Sequence, residues 1–204
     1  MDSSPDDPRR PPDDLSDREL MGEVRNGDVA RLGELFERHH RRLFSFFLRL
    51  TRDRAGAEDL VQEVFVRMLK YRQTFKSDAE FTPWMFRLAR NAATDRWRAR
   101  PRELQHDPEA PEPAAETDHP VDRLELGDRK RRLARALEAL TPEKRELLLL
   151  ARFSEMRYDE IGELLGVTVG AVKVRVHRAM KDLKIAFDEL GGGDFVGGFM
   201  KETS

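Results

Sequence analysis

The sequence predicts an all-α protein built as two small helical domains joined by a flexible acidic linker. Three observations carry this. Apolar residues recur at three- and four-residue steps over two long stretches, no stretch alternates at period two, and a proline-rich acidic segment separates the two. A chain of 204 residues holds one large domain or two small ones. Charged residues make up 37% of it, against about 25% in ordinary domains. Lys plus Arg (37) nearly cancels Asp plus Glu (39) for a net charge of −2, so the partner chemistry depends on where the charges cluster. The chain has no cysteine, which excludes disulfides, thiol catalysis and cysteine-bound zinc. The longest apolar run, Leu147 to Ala151, is far short of the roughly 18 residues of a membrane span, so no membrane insertion is expected. The acidic N-terminus lacks an apolar signal core, and a cytoplasmic location is expected.

Residues 1–14 hold four prolines and five aspartates, too little apolar surface to offset ordering entropy, and read as a disordered tail. Residues 15–100 form the first helical domain. Ser16 is positioned to cap a helix three residues before Glu19, and Leu32, Leu35, Phe36, Leu43, Phe46, Phe47 and Leu50 follow helical spacing. Residues 101–126 hold five prolines and set eight acids against two arginines, a net of −6, so they read as an extended, self-repelling linker. Helical spacing resumes near Val121 with Leu124, Leu133, Leu137 and Leu140, and residues 127–188 form the second domain, with a Thr141-Pro142 helix start. Residues 189–204 carry five glycines and read as a flexible tail; GGG without a following Gly-Lys-Ser/Thr is no phosphate loop.

Three faces carry chemistry. In YDEIGELLGVTVGAV, residues 158–172, a short helix bearing Ile161, Leu164 and Leu165 meets a turn at Gly166, an apolar plug at Val167 and a Thr168 cap: the pattern of a helix-turn-helix. In the helix that follows, Val172, Val176, Ala179, Met180, Leu183 and Ala186 share one side, and Lys173, Val174, His177, Arg178 and Lys181 the other. Five basic residues face one acid between Thr168 and Ala186, which suits phosphates flanking a major groove. A solvated helix of an ordinary bundle shares much of this pattern. The second face runs from Trp84 to Arg102, where six arginines face one acid and Phe81, Trp84, Phe86 and Trp97 are interleaved. Arg87, Arg90, Asn91, Thr94 and Arg98 form a polar stripe, and aromatics beside arginines suit opened nucleic acid, although Trp84 and Phe86 fit a core equally well. On the third face Asp59, Gln62 and Glu63 lie within one arc of a helix over residues 57–70, with apolar Val66 among them, a surface suited to a protein partner or simply solvated.

Taken in order, these pieces resemble a bacterial RNA polymerase sigma factor of the extracytoplasmic-function (ECF) class, which keeps only the domains called region 2 and region 4. AEDLVQEVF (residues 57–65) resembles the polymerase-clamp-binding helix, and FTPWMFRLARN (81–91) with Asp95 and Arg96 resembles the promoter-melting, minus-10 helix. Leu140-Thr141-Pro142, Ile161, Leu165-Gly166 and GAVKVRVHRA (170–179) resemble region 4. The resemblance implies region 2 over residues 15–100 and region 4 over 127–188. It implies that Asp59, Gln62 and Glu63 bind core polymerase, that Arg87, Arg90, Asn91, Thr94 and Arg98 bind and melt the minus-10 element, and that a loop from about Arg72 to Glu80 captures a flipped base. Lys173, Val174, Arg175, His177, Arg178 and Lys181 are then the minus-35 contacts. Two departures bear on base choice: Ala171 stands where the family usually has threonine, and Val174 where it usually has serine. The implied partners are core RNA polymerase, promoter DNA and an anti-sigma protein, with the chain a monomer when free; the linker is placed near the polymerase's RNA exit path.

No catalytic residue, metal site or cofactor is expected, because the five histidines (His39, His40, His106, His119, His177) lie in no ligating or triad pattern. Two other readings remain at this level. A free-standing helix-turn-helix regulator would need a dimer surface, and a sigma-like decoy that only sequesters an anti-sigma protein should have lost its basic faces.

Overall fold

The computed structural model describes residues 15–99, 120–154 and 156–191. The N-terminal tail, most of the linker and residues 192–204 of the C-terminal tail lie outside the described residues, and the final helix (Val169–Glu189) runs one residue into that tail. Within them the secondary structure is helical, in eight α-helices with two short 3-10 turns and no strand.

Helix α1 (Asp17–Asn26) starts where the Ser16-Glu19 spacing predicts. The Ser16 backbone N–H donates to the Glu19 carboxylate at 2.7 Å, and the Ser16 hydroxyl accepts from the Glu19 N–H at 3.3 Å, satisfying two orphan donors at once. Its buried residues are Leu20, Met21 and Val24, one stripe at helical spacing. Helix α2 (Leu32–Thr51) buries Leu35, Leu43, Phe46 and Phe47 and ends at Arg52, whose φ of 55° turns the chain sharply. Asp53 then caps α3 (Arg54–Lys70), its carboxylate accepting from Gly56 N–H at 2.8 Å. Helix α4 (Phe81–Ala99) closes the first unit by packing along α3. Aromatic rings tie this unit together: Phe46 sits edge-on to Phe47 and Phe86, and Phe75 edge-on to Phe81 and Trp84.

In the second unit, α5 (Pro120–Glu138) starts within the segment read as linker. Helix α6 (Pro142–Phe153) is capped by Thr141 with proline at its first turn, as the sequence indicates. Helices α7 (Tyr158–Leu165) and α8 (Val169–Glu189) follow, and α8 packs on α5, α6 and α7.

The two helical units also pack against each other. Helix α6 packs on α2 as well as α8, α7 packs on α4, and the buried side chains of both units form one continuous cluster. The reason is legible in α6. Leu147, Leu148, Leu149 and Leu150 are all buried, at most 4% exposed. Four consecutive helical residues point round the whole circumference, so α6 needs apolar partners on opposite sides. Helix α8 supplies one side and α2 the other. Each leucine fully buried contributes about 1.5–3 kcal/mol.

Candidate nucleic-acid interface

The helix-turn-helix forms as the sequence predicts. Gly166 ends α7 in the left-handed region at φ 66°, where a β-carbon is strained. Val167 N–H then donates to Gly162 O at 2.9 Å. Gly162 is itself buried against this turn: a β-carbon there would lie 2.8 Å from the Val167 carbonyl oxygen. The Thr168 hydroxyl accepts from Ala171 N–H at 3.2 Å and starts α8. Val172, Val176, Ala179, Leu183 and Phe187 fix α8 to the core, which leaves Lys173, Val174, Arg175, His177, Arg178 and Lys181 all exposed on its outer side. The single acid among them in sequence, Asp182, is drawn off by Lys144 of α6 at 2.6 Å. The face therefore keeps its positive charge.

On α4 the outcome is mixed. Arg87, Asn91, Thr94 and Arg98 are exposed, as predicted. Arg90 is occupied: its Nε and Nη2 donate to both carboxylate oxygens of Glu146 on α6, at 2.6 and 3.1 Å. Arg87 also lies 3.7 Å from Glu163 of α7. Of the four interleaved aromatics, Phe81, Trp84 and Phe86 are core residues, and Trp84 Nε1 reaches the Thr74 hydroxyl at 3.4 Å. Only Trp97, 45% exposed, offers a ring for base stacking. In the loop at 72–80, Phe75 is buried beside Phe81 and Trp84, while Lys76, Ser77, Asp78 and Glu80 are exposed. Glu80 pairs with Arg18 of α1 at 2.5 Å.

The acidic stripe of α3 is not free of partners. Asp59 and Gln62 are exposed and Glu63 is half-buried, with Val66 beside them 59% exposed. Arg96 of α4 reaches Asp59 at 3.2 Å and Asp53 at 3.5 Å, passing over Gly56, where any β-carbon would meet both Asp53 and Arg96. Arg67 binds Glu63 at 2.6 Å and Asp95 at 2.8 Å. Burial pulls the Arg67 guanidinium down, but the two carboxylates outweigh it and hold it above its ordinary value. Arg96 thus tethers α4 to α3, a role its place in the arginine-rich run did not reveal. Glu146 and Glu163, which hold the α4 arginines, were also missed; only the buried face of α6 hinted at a partner for that helix.

Among the described residues no cluster of His, Asp and Glu could hold a metal ion, and no helix is long and apolar enough to cross a membrane.

Two family matches cover these same units. Residues 35–103 match the family described as Sigma-70 region 2, and residues 130–183 match Sigma-70, region 4. The chain is also 32% identical over 174 residues to the RNA polymerase sigma factor CarQ of Myxococcus xanthus, spanning 83% of this chain and 97% of that protein. The chain belongs to the ECF class of RNA polymerase sigma factors. It is 27% identical to the ECF sigma factor SigK of Mycobacterium tuberculosis, over 83% of this chain and 92% of that one. Among solved structures it is similar to CnrH in complex with the cytosolic domain of CnrY (TM-score 0.65, 27% identity, 85% of this chain and 97% of that chain). It is also similar to the sigma factor RpoE in complex with the anti-sigma factor NepR from Bartonella quintana (TM-score 0.59, 25% identity, 76% and 96%). As a sigma factor it serves promoter-specific transcription initiation.

Proposed function

We propose that this sigma factor divides its work among three helices. Asp59, Gln62 and Glu63 of α3, with apolar Val66, dock on core RNA polymerase. Arg87, Arg90, Asn91, Thr94 and Arg98 of α4, with Trp97, bind and open the minus-10 element, and the loop from Arg72 to Glu80 receives a base flipped out of it. Lys173, Val174, Arg175, His177, Arg178 and Lys181 of α8 bind the minus-35 duplex.

The observation that carries this division is α8: the five residues placed on one outward face, Lys173, Val174, His177, Arg178 and Lys181, are all exposed, as is Arg175, over a core that holds the helix against the turn at Gly166. Arginine forks read guanine edges, and Val174, 50% exposed where the family usually has serine, offers a methyl surface suited to a thymine methyl group. On α4, exposed guanidinium groups beside one exposed indole suit phosphates and unstacked bases together. None of these groups performs covalent chemistry; the work is binding and strand separation in the cytoplasm. An anti-sigma protein is proposed as a further partner, supported by the likeness to RpoE, which is seen in complex with the anti-sigma factor NepR.

The division is tested by in vitro transcription from a randomised promoter library with purified core polymerase. Transcripts that depend on this chain should share a minus-35 and a minus-10 sequence, and Arg178→Ala should relax only the former. Relaxation at minus-10 by that variant would overturn the assignment of α8.

A further inference from the structure

We infer that α1 is a brace that sets the shape of the base-receiving loop, with Arg18 and Gln73 as positioning residues at the loop's two feet. The inference rests on the assignment of residues 72–80 to base capture. Helix α1 precedes the region 2 match, which begins at residue 35. It packs on the 3-10 turn Arg72–Thr74 and on α4, the elements at either end of the loop. At the first foot the Gln73 side-chain amide donates to the Arg25 carbonyl at 2.9 Å, one of the last-turn carbonyls that a helix leaves without a donor of its own. At the second foot Arg18 pairs with Glu80 at 2.5 Å.

Arg18 and Arg25 are two turns apart on one face of α1, about 10 Å along its axis. The chain from Gln73 to Glu80 could stretch to roughly 23 Å. The loop thus has more chain than its footing requires, and it arches. Phe75 turns down against Phe81 and Trp84, and Lys76, Ser77 and Asp78 form an exposed crown. The brace is itself anchored from α2. Asp17, next to Arg18, meets the His39 ring nitrogen at 2.6 Å and Arg38 at 3.0 Å, and Arg38 also donates to the Leu15 carbonyl at 2.8 Å. The His39 ring lies 5.1 Å from that of Phe81, the first residue of α4. A frame therefore runs from α2 through α1 to both feet of the loop. An ion pair whose side chains are 42% and 58% exposed adds little to stability. What it supplies is register. Ordering a loop while unstacking a base adds one cost to another, and a loop already held in its receiving shape avoids the first.

The test places abasic sites one at a time through the minus-10 element of a promoter recovered from the randomised library, and reads transcription by core polymerase with this chain. For the parent, an abasic site at the captured position should lower transcription on the order of tenfold, the scale of one lost base contact. Arg18→Gln, a change outside the loop, should shrink that penalty while Tm and co-purification with core polymerase match the parent. Adding Gln73→Leu should abolish the penalty. Arg18→Lys, which keeps a cation within reach of Glu80, should retain it in full. An Arg18→Gln/Gln73→Leu variant with the parent's penalty would overturn the brace, as would an Arg18→Lys variant that behaves like Arg18→Gln. Failure of the underlying assignment looks different: the parent would show no sensitive position, or Lys76→Ala/Ser77→Ala/Asp78→Ala, at the crown itself, would leave the penalty intact.

Discussion

Arg178 and His177 stand on the exposed side of α8 with no ion-pair partner among the described residues, so base contacts there should be separable from phosphate contacts by substitution. Arg178→Ala and His177→Ala are expected to cost on the order of 1–3 kcal/mol at the preferred minus-35 sequence and much less elsewhere, read as transcription from matched and mismatched promoters. Lys181→Ala, if it touches phosphate alone, should weaken binding to every sequence and reduce the salt dependence by about one ion. Asp17 gives a residue-scale test of stability. Burial pushes its carboxyl up, but the His39 ring nitrogen at 2.6 Å and Arg38 at 3.0 Å outweigh burial and hold it below its ordinary value. A carboxylate with a depressed folded value stabilises the fold above its unfolded pKa and loses that contribution as pH falls through the folded one. Asp17→Asn should therefore cost about 1–2 kcal/mol at pH 7, seen as a lower Tm, and the gap to the parent should close as pH falls through the acidic range below the ordinary aspartate value. A gap of constant size would show that the charge at Asp17 is not what stabilises α1 against α2.

The helix-turn-helix depends on two glycines for different reasons. Gly166 needs a left-handed backbone, whereas Gly162 needs the space that a β-carbon would take from the Val167 carbonyl. Backbone cannot yield as a side chain can, so Gly162→Ala should lower stability despite the better helix propensity of alanine, by an amount on the order of 1–3 kcal/mol. Circular dichroism melting reads this directly, and an unchanged or raised Tm would mean the turn can relax. At this scale the sequence was informative wherever local chemistry decides the outcome. Ser16, Thr141 and Thr168 all act as the caps their spacing indicates, and the buried side of α8 falls where its spacing puts it. It was least informative about pairing between helices. Arg96 and Arg98 lie two positions apart in one arginine-rich run, yet Arg96 bridges Asp53 and Asp59 while Arg98 faces solvent, a difference set by which side of α4 lies against α3.

For the molecule as a whole, the two units are joined by an acidic linker, and α2 and α4 of the first pack against α6 and α7 of the second. Linker chemistry reports how the connection is solvated, not whether the faces on either side fit; the run from Leu147 to Leu150 was the better indicator, because no single neighbour can cover a helix on all sides. Such long-range fit also explains why Arg90, chosen for its place on a polar stripe, is found holding Glu146. Of the residues proposed to face polymerase, Asp59 and Gln62 are exposed on α3, whereas Glu63 is tied into the Arg67–Asp95 network and makes a poorer probe. The most direct measurement is therefore promoter-specific transcription by core polymerase with the parent chain and with Asp59→Lys/Gln62→Lys. Both positions are exposed, so helicity should be retained and stability should change by less than about 1 kcal/mol. Like charges brought together at an interface cost several kcal/mol, so the account predicts that the variant neither co-purifies with core polymerase nor initiates, while the minus-35 duplex is still bound weakly. A folded variant that binds polymerase and initiates as the parent does would contradict it.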